Sequence, residues 1–381
     1  MRRCIICGGK LMENPLIECK NMPDSAQDIP TKEELTKDSG MDLALYQCSG
    51  CGLIQFDCEP VSYYRDVIRS GGYSTTMVEL RRSQYLHFID MCHLNGKKII
   101  EIGCGQGEFL QVLTEFPVQA YGIEHKTDLV ELARAKGLNV EHDFAEDETV
   151  ILKNAPFDAF LSFNFLEHQP NPNGMMRCIY KNLTDDGYGL ITVPSFEYIL
   201  ENDAFYELLR DHIANYTRDS LRFLVEKNGF RVLECECINR DTWSIIVQKR
   251  PAADVSGLIS NFGQLKVQMQ QYVTDRHAVG KKVAIWGASH QGFTAAATTA
   301  CADKIRYIID SAPFKQGKYA PASHIPIVGP DHFFRDPVDS ILVIAPGYTQ
   351  EIVDTIRTKY GYGVEISVLR AAKIEKLEKS I

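Results

Sequence analysis

Four cysteines near the start of the chain have the spacing of metal ligands. The candidate ligands are Cys4, Cys7, Cys48 and Cys51. Each Cys-x-x-Cys pair can direct two thiolates at one ion, and two pairs complete a tetrahedral zinc site. Gly8 and Gly52 follow the pairs and permit tight turns in which backbone amides face sulfur. We predict a structural zinc ion because four protein ligands leave no open position; by spacing, Cys19 and Cys58 are weaker alternatives.

A glycine-rich turn later in the chain has the composition of a cofactor site. Residues 99–102 are an apolar run that leads into Gly103, Gly105 and Gly107, and a helical stretch follows. Glycines allow a ligand to approach the backbone closely, and the start of a helix favours a carboxylate or phosphate. Glycines alone would fit a dinucleotide enzyme equally well.

Two acidic residues favour a different nucleoside cofactor. Glu101 precedes the glycines, and their spacing departs from the Gly-x-Gly-x-x-Gly pattern of dinucleotide sites. Glu124 ends the next apolar run, where a carboxylate can accept both hydroxyls of a ribose. The pattern therefore predicts a nucleoside whose charged tail meets the glycine turn.

Composition limits the setting in which this chemistry takes place. The 381 residues carry a net charge of −9, which argues against nucleic-acid binding because phosphate neutralisation needs a basic face. No apolar run approaches the roughly 20 residues that cross a bilayer, and the first residues lead into no apolar segment of a secretory signal. We expect a cytoplasmic enzyme that acts on a small molecule, and the sequence leaves its oligomeric state open.

Short apolar runs that alternate with amphipathic stretches predict an α/β fold with parallel sheets. The alternation occupies residues 96–250 and begins again at residue 283, after a boundary near Pro251. We predict three parts: a zinc-binding module at 1–60, a cofactor-binding core with an N-terminal lid at 61–250, and a linker helix with a second nucleotide-type fold at 251–381.

The glycine turn and its acids resemble the first motif of class I S-adenosylmethionine methyltransferases, whose core is Rossmann-like. The segment 163–168, after the fourth strand of the core, is similar to the methyltransferase segment that lines the sulfonium. The resemblance implies cofactor contacts at Glu101, Gly103, Gly105, Gly107, Glu124, Asp143, Phe144 and Asn164.

The whole chain resembles the C-methyltransferases that act on nucleotide-linked 4-ketosugars. Residues 286–292 are similar to that family's Gly-Ala-Ser loop, and residues 310–317 match its Asp-x-x-Pro-x-Lys-x-Gly segment. Residues 323–327 read Ser-His-Ile-Pro-Ile, as in the family. The second nucleotide-type fold is then expected to bind the substrate, or otherwise to serve as a lid or dimer surface. The expected substrate contacts are Ser289, His290, Lys315, His324 and Tyr348.

Methylation of carbon needs a base, and the resemblance implies that His212 removes a proton beside the ketone. The aligned segment, 205–217, places Asp211 where the family has glutamate. It departs from the family at Leu209, in place of tyrosine, and at Arg210, in place of histidine. An enolate oxygen would therefore need another partner, for which Arg210, Tyr216 and Tyr73 are the candidates.

Three hypotheses follow for the function. The first is base-assisted C-methylation of a nucleotide-linked ketosugar. The second keeps methyl transfer but places the acceptor on oxygen or nitrogen of a sugar or another metabolite, which the loss of the tyrosine at Leu209 supports. The third is a non-catalytic scaffold that binds cofactor or sugar, against which the intact glycine turn, Glu101 and Glu124 argue.

Overall fold

The chain divides into two units, Met1–Ala252 and Ala253–Ile381, in a computed structural model that describes residues 3–67, 74–371 and 373–378. The division lies beside the boundary expected near Pro251. The cysteine-rich segment belongs to the first unit together with the cofactor-binding core. The first unit contains two sheets and the second unit contains one.

The first unit alternates strands with helices along most of its length. Its strands are β1 (Ile17–Met22), β2 (Met41–Gln47), β3 (Ile54–Phe56), β4 (Lys98–Ile102), β5 (Gln119–Glu124), β6 (Val140–His142), β7 (Phe157–Phe163), β8 (Leu183–Pro194), β9 (Ala214–Asn215), β10 (Phe230–Ile238) and β11 (Thr242–Lys249). Its helices are α1 (Thr75–Met91), α2 (Glu108–Leu113), α3 (Thr127–Ala135), α4 (Pro172–Asn182), α5 (Phe196–Glu201) and α6 (Arg218–Lys227).

Seven of these strands form the central sheet, in the order β10-β11-β8-β7-β4-β5-β6. The five strands from β8 to β6 are parallel, and β11 and β10 add an antiparallel hairpin at one edge. The apolar runs of residues 96–250 include β4, β5, β7 and β8. The predicted class I methyltransferase fold is confirmed.

Side chains alternate between the two faces of this sheet and fill a core on each. Ile100 and Phe160 pack on one face together with residues of α4 and α6. Ile99 and Leu161 pack on the other face, against α1, α2 and α3. Strands buried on both faces explain why the sequence shows continuous apolar runs rather than alternation.

A smaller sheet, in the order β1-β2-β3-β9, carries the cysteine-rich segment. β3 pairs antiparallel with β9, so that Ile54 lies opposite Asn215 and Gln55 opposite Ala214. This pairing joins the start of the chain to a short strand more than 150 residues further along.

The second unit contains a six-stranded sheet in the order β14-β13-β12-β15-β16-β17. Its strands are β12 (Val283–Trp286), β13 (Ile305–Ile309), β14 (Ile327–Val328), β15 (Ser340–Val343), β16 (Glu365–Arg370) and β17 (Lys373–Lys376). Its helices are α7 (Ser256–Ala278), α8 (His290–Thr298) and α9 (Thr349–Tyr360). In the part of the chain that the structure describes, no helix is both long enough and apolar enough to span a membrane.

The third glycine of the turn is expected to tolerate no side chain. Gly107 (φ +80°) and Gly137 (φ +79°) share a left-handed backbone, but a Cβ on Gly107 would lie 2.2 Å from Leu138 Cδ1 and one on Gly137 would meet nothing within 4 Å. Gly107→Ala should therefore lower the free energy of unfolding by roughly 1–3 kcal/mol more than Gly137→Ala, because it adds overpacking to the same backbone strain. Urea unfolding of both variants measures the difference, and equal losses would contradict the packing argument.

Candidate functional site

A cavity of about 700 Å³ opens in the first unit at the carboxyl ends of β4 and β7. Gly103 and Gly105 line it from one side and Asn164 from the floor, while residues 209–215 contribute Leu209 and His212 from the other side. In sheets of this kind, ligands bind at the carboxyl ends of the parallel strands. The cavity therefore joins the predicted cofactor turn to the segment predicted to carry the base.

The glycine turn is held against the carboxylate of Glu124. The backbone N–H groups of Gly105 and Lys126 each donate to a Glu124 carboxylate oxygen at 2.9 Å. Each carboxylate oxygen can accept more than one hydrogen bond, so the group can also receive ribose hydroxyls. Glu101 is fully buried at the end of β4, behind the turn.

The expected adenine contacts adjoin Glu124. The Asp143 N–H donates to the Glu124 carbonyl oxygen at 3.1 Å, and the Asp143 carboxylate accepts from the Phe144 N–H at 2.8 Å. The Phe144 ring meets the Phe165 ring edge-on at 6.2 Å between centroids. Phe165 lines the cavity, whereas Glu124, Asp143 and Phe144 are not among its lining residues, so Phe144 adjoins the cavity only through its contact with Phe165.

Two histidines face each other at the opposite side of the cavity. The rings of His168 and His212 lie edge to face, with centroids 4.8 Å apart. Nδ1 of His168 is 2.9 Å from the Asp211 carbonyl oxygen, which fixes that nitrogen as the proton donor. Potential ligand atoms of Glu167, His168 and His212 all lie within 4.8 Å of one another.

Burial keeps both imidazoles neutral. Burial, together with the neighbouring His168, lowers the pKa of His212 to about 3. Burial lowers the pKa of His168 to about 4, although its hydrogen bond to Asp211 opposes the shift. His212 is therefore unprotonated at pH 7, as a base must be. A pKa of about 3 nevertheless makes it a weak base, because general-base catalysis is most efficient when the pKa lies near the working pH.

Two polar neighbours of His212 are bound to the N-terminal segment, and only Asp211 is also part of the cavity lining. The Asp211 carboxylate accepts from the Tyr63 hydroxyl at 2.6 Å and from the Ala26 N–H at 3.0 Å. Arg210 forms an ion pair with Asp24 and donates to the Glu59 carbonyl oxygen at 3.1 Å. The structure thus directs Arg210, a candidate enolate partner, away from the cavity.

The other two candidate partners of an enolate oxygen are Tyr216 and Tyr73. Tyr216 is fully buried, and its hydroxyl has no hydrogen-bond partner among the described residues. Burial raises the pKa of this hydroxyl well above its ordinary value. Tyr73 lies outside the described residues. Tyr216 is absent from the cavity lining, whereas Leu209 is part of it.

The four N-terminal sulfurs form one cluster. The clustered thiols are Cys4, Cys7, Cys48 and Cys51, with ligand atoms within 4.8 Å of one another. Cys4 Sγ is 3.5 Å from Cys51 Sγ, and Cys7 Sγ is 3.3 Å from Cys48 Sγ. A tetrahedral zinc ion with bonds of about 2.3 Å sets its sulfurs roughly 3.8 Å apart. The cluster therefore has nearly the dimensions of a tetrathiolate site.

Backbone amides support the cluster, as the sequence led us to expect. The N–H groups of Gly9 and Gly50 each donate to a sulfur at 3.3 Å, to Cys7 and Cys48 respectively. Such donors stabilise thiolate charge. The Asn173 side chain on α4 donates to the carbonyl oxygens of Ile5 and Ile6, between the first two cysteines.

In the second unit, a glycine loop follows β12. Gly287 has φ +125°, and a Cβ there would lie 2.4 Å from the Ile344 carbonyl oxygen. Ser289 caps α8, and the Ala288 N–H donates to Asp310 at 2.9 Å. Asp310 also pairs with Lys315 at 3.0 Å, so this lysine already neutralises a carboxylate.

The other expected substrate contacts are solvent-exposed on loops of this unit. His290 begins α8, His324 lies before β14 with φ +54°, and Tyr348 follows β15. All three side chains are exposed.

Two residues of the site were not anticipated from the sequence. Arg81, on α1, lines the cavity although it is almost completely buried. Tyr63 binds the carboxylate of Asp211, 148 residues away in the chain. Neither residue belongs to a recognisable motif, because long-range packing alone brings Arg81 to the cavity and Tyr63 to Asp211.

Family comparisons agree with this geometry. Residues 77–235 match the family described as "Methyltransferase domain", and residues 256–368 match the "C-methyltransferase C-terminal domain". The seven-stranded sheet, the glycine turn and these matches define an S-adenosylmethionine-dependent methyltransferase. More particularly, the chain belongs to the C-methyltransferases in which this core is followed by that C-terminal domain.

Individual relatives are distant. C-methyltransferase NovU of Streptomyces niveus is 24% identical over 291 residues, which span 68% of this chain and 69% of that protein. Ubiquinone biosynthesis O-methyltransferase of Xanthomonas oryzae pv. oryzae (strain PXO99A) is 27% identical over 99 residues, 25% of this chain and 41% of that protein. The structure of magnesium protoporphyrin IX methyltransferase from Synechocystis PCC 6803 with bound SAH is 14% identical, with a TM-score of 0.38, over 49% of this chain and 90% of that one.

The buried histidines should make stability depend on pH. Both imidazoles are neutral when folded and bind a proton on unfolding below their ordinary pKa of about 6.5. The free energy of unfolding should therefore fall as the pH falls from 6.5 toward 4, by on the order of 1 kcal/mol per histidine between pH 7 and 5. His212→Asn should flatten this slope in urea titrations. His93→Asn, at an exposed position, should preserve it; equal slopes in all three proteins would refute the neutral pair.

Proposed function

We propose that this protein methylates a carbon atom beside the ketone of a nucleotide-linked sugar. The observation that supports the proposal most strongly is that one cavity contains both the glycine turn and His212, whose burial keeps it unprotonated. A methyltransferase that acts on carbon needs such a base, because a C–H bond is not itself a nucleophile.

The proposed reaction begins with proton transfer to His212. The imidazole takes the proton from the carbon next to the carbonyl, and the C–H electron pair becomes the enolate. When bound, S-adenosylmethionine supplies an electrophilic methyl whose bonding pair returns to sulfur as the enolate carbon is methylated. His212 then releases its proton to water. Placing both partners in one cavity replaces a bimolecular encounter with an oriented one.

His168 is proposed to position the base. Its Nδ1–H donates a hydrogen bond to the Asp211 carbonyl oxygen. The other ring nitrogen, Nε2, is therefore unprotonated, and it lies on the side of the ring away from that carbonyl. Asp211 itself is proposed to act through the backbone, because its carboxylate binds Tyr63 and Ala26. In this proposal the Asp211 carboxylate takes no direct part in proton transfer.

The enolate oxygen needs a donor other than the two candidates that the structure describes. Arg210 is bound to Asp24 and Glu59, and Tyr216 is buried away from the cavity. The amide side chains of Asn164 and Asn215 do line the cavity. We therefore assign the donor role to these neutral amides.

The second unit is proposed to bind the nucleotide part of the substrate. In the parallel sheet, β13 and β14 lie on one side of β12, and the chain then crosses to the other side of β12 to form β15. Nucleotide-type folds bind ligands at such a switch point, here between β12 and β15. The glycine loop at Gly287 lies at this point, with Ser289 at the start of α8. His290, His324 and Tyr348 are candidates for contacts to the diphosphate and base.

The sulfur cluster is proposed to bind one structural zinc ion. Four thiolates at nearly tetrahedral separation fill the coordination sphere, so no position remains for substrate. Through β3 and β9, the ion would stabilise the sheet next to the base segment.

Substitution of the base separates carbon methylation from the alternatives. With nucleotide-linked 4-ketosugars in deuterated water, the protein should exchange the proton beside the ketone even without cofactor. His212→Gln should reduce both exchange and methylation at least about 100-fold, since general-base catalysis contributes 10²–10⁴-fold, while affinity for S-adenosylhomocysteine stays within about threefold. Proton NMR measures exchange, and calorimetry measures affinity.

Exposed His87 on α1 provides the control, because His87→Gln should leave exchange and methylation unchanged. A product methylated on oxygen or nitrogen without exchange would support the second hypothesis, which the apolar Leu209 in the cavity favours.

The metal proposal has a separate test. Elemental analysis of the purified protein should give one zinc per chain, and Cys48→Ser should lose it because three thiolates bind zinc much more weakly than four. Cys237→Ser, at an exposed position outside the cluster, should retain the metal. Full zinc content in Cys48→Ser would contradict the proposed ligand set.

A further inference from the structure

The loop between β1 and β2, residues 23–40, brings an exposed isoleucine to the cavity. Ile29 is 82% exposed, the largest exposed fraction among the large apolar side chains of the described residues. It nevertheless lines the cavity, together with Ile199 and Leu209. An apolar side chain that stands in water at the edge of a binding cavity gains free energy when a ligand covers it.

Hydrogen bonds attach the first part of this loop to the segment of His212. The Ala26 N–H donates to the Asp211 carboxylate at 3.0 Å. The Ser25 hydroxyl is 2.7 Å from the Tyr63 hydroxyl, which donates to the same carboxylate. Ile29 follows Ala26 by three residues, which span at most about 11 Å. Ile29 therefore belongs to the side of the cavity that contains His212.

The next part of the loop restricts the position of Ile29 as well. Pro30 follows it, and a residue before proline is largely confined to extended backbone. The N–H and the hydroxyl of Thr31 both donate to the Glu34 carboxylate, at 2.9 and 2.7 Å. A residue held between two such anchors loses little conformational freedom when a ligand binds. Ile29 is therefore preorganised for a contact.

We propose that Ile29 packs against an apolar part of the methyl acceptor and is a specificity-determining residue. The inference rests on the proposed function in one respect, namely that the acceptor approaches His212. The glycine turn assigned to the methyl donor lines the opposite side of the cavity, so the acceptor is the ligand that reaches the loop.

The chemistry of the contact follows from the side chains that offer it. Ile29, Ile199 and Leu209 cannot form hydrogen bonds, and a hydroxyl that they cover loses its bonds to water. They therefore favour C–H groups of a ring or an alkyl substituent. In this account the N-terminal segment recognises the acceptor in addition to positioning His212.

The test compares Michaelis constants for the acceptor. With a nucleotide-linked 4-ketosugar and saturating S-adenosylmethionine, Ile29→Ala should raise KM about 5- to 30-fold, because it removes three carbon atoms from an apolar contact. Its kcat should change less than about twofold, since the contact is equal in substrate and transition state. Ile29→Val removes one carbon atom and should raise KM no more than about fourfold.

Leu35→Ala is the matched control, because Leu35 is exposed on the same loop but is not among the residues that line the cavity. It should keep the wild-type KM. Urea unfolding and calorimetric affinity for S-adenosylhomocysteine should be unchanged in all three variants. An unchanged KM in Ile29→Ala, or equal increases in Ile29→Ala and Leu35→Ala, would overturn the inference. A fall in kcat alone would also overturn it, since the base would then be misplaced without loss of an acceptor contact.

The inference and the proposed function can fail separately in this experiment. If the protein methylates oxygen or nitrogen of a metabolite, the proposed function fails, and the same comparison of KM with that acceptor decides the inference. If the wild-type protein methylates neither ketosugars nor such acceptors, both are contradicted.

Discussion

The pairing of β3 with β9 is the constraint on which the site depends. β9 follows His212 by one residue, and its only described strand neighbour belongs to the cysteine-rich segment. Asp211 strengthens the same connection by accepting hydrogen bonds from Tyr63 and Ala26. The N-terminal segment thus holds the segment of His212 at the cavity, together with the bridge from Ser195 to Tyr216 and the hydrogen bond between His168 and the Asp211 carbonyl oxygen. The proposed zinc ion would make this small module more rigid, because metal binding contributes to folding free energy.

Burial has opposite consequences for the two sides of the cavity. Near β9 it removes charge, because desolvation keeps His168 and His212 neutral. Near α1 it preserves charge, because an arginine cannot deprotonate in a protein and Arg81 instead contacts aromatic rings and Gln84. The cavity therefore combines a neutral base with a fixed cation.

Local patterns predicted the fold and the sulfur cluster, since apolar runs, glycine turns and Cys-x-x-Cys spacing each depend on neighbouring residues. The orientation of side chains around His212 could not be predicted in this way. Asp211 and Arg210 looked like reaction partners in the sequence, yet both bind segments about 150 residues or more away. Arg81 and its neighbour Arg82 look equivalent in sequence, but only the packing of α1 buries the first and exposes the second.

A crystal structure with S-adenosylhomocysteine tests the central claim most directly, namely that a single cavity brings the methyl donor to His212. The account predicts the amino acid tail at the turn of Gly103 and Gly105, the ribose on Glu124 and the sulfur directed toward the His212 side. A ligand bound elsewhere, or a sulfur separated from His212 by the protein backbone, would contradict it.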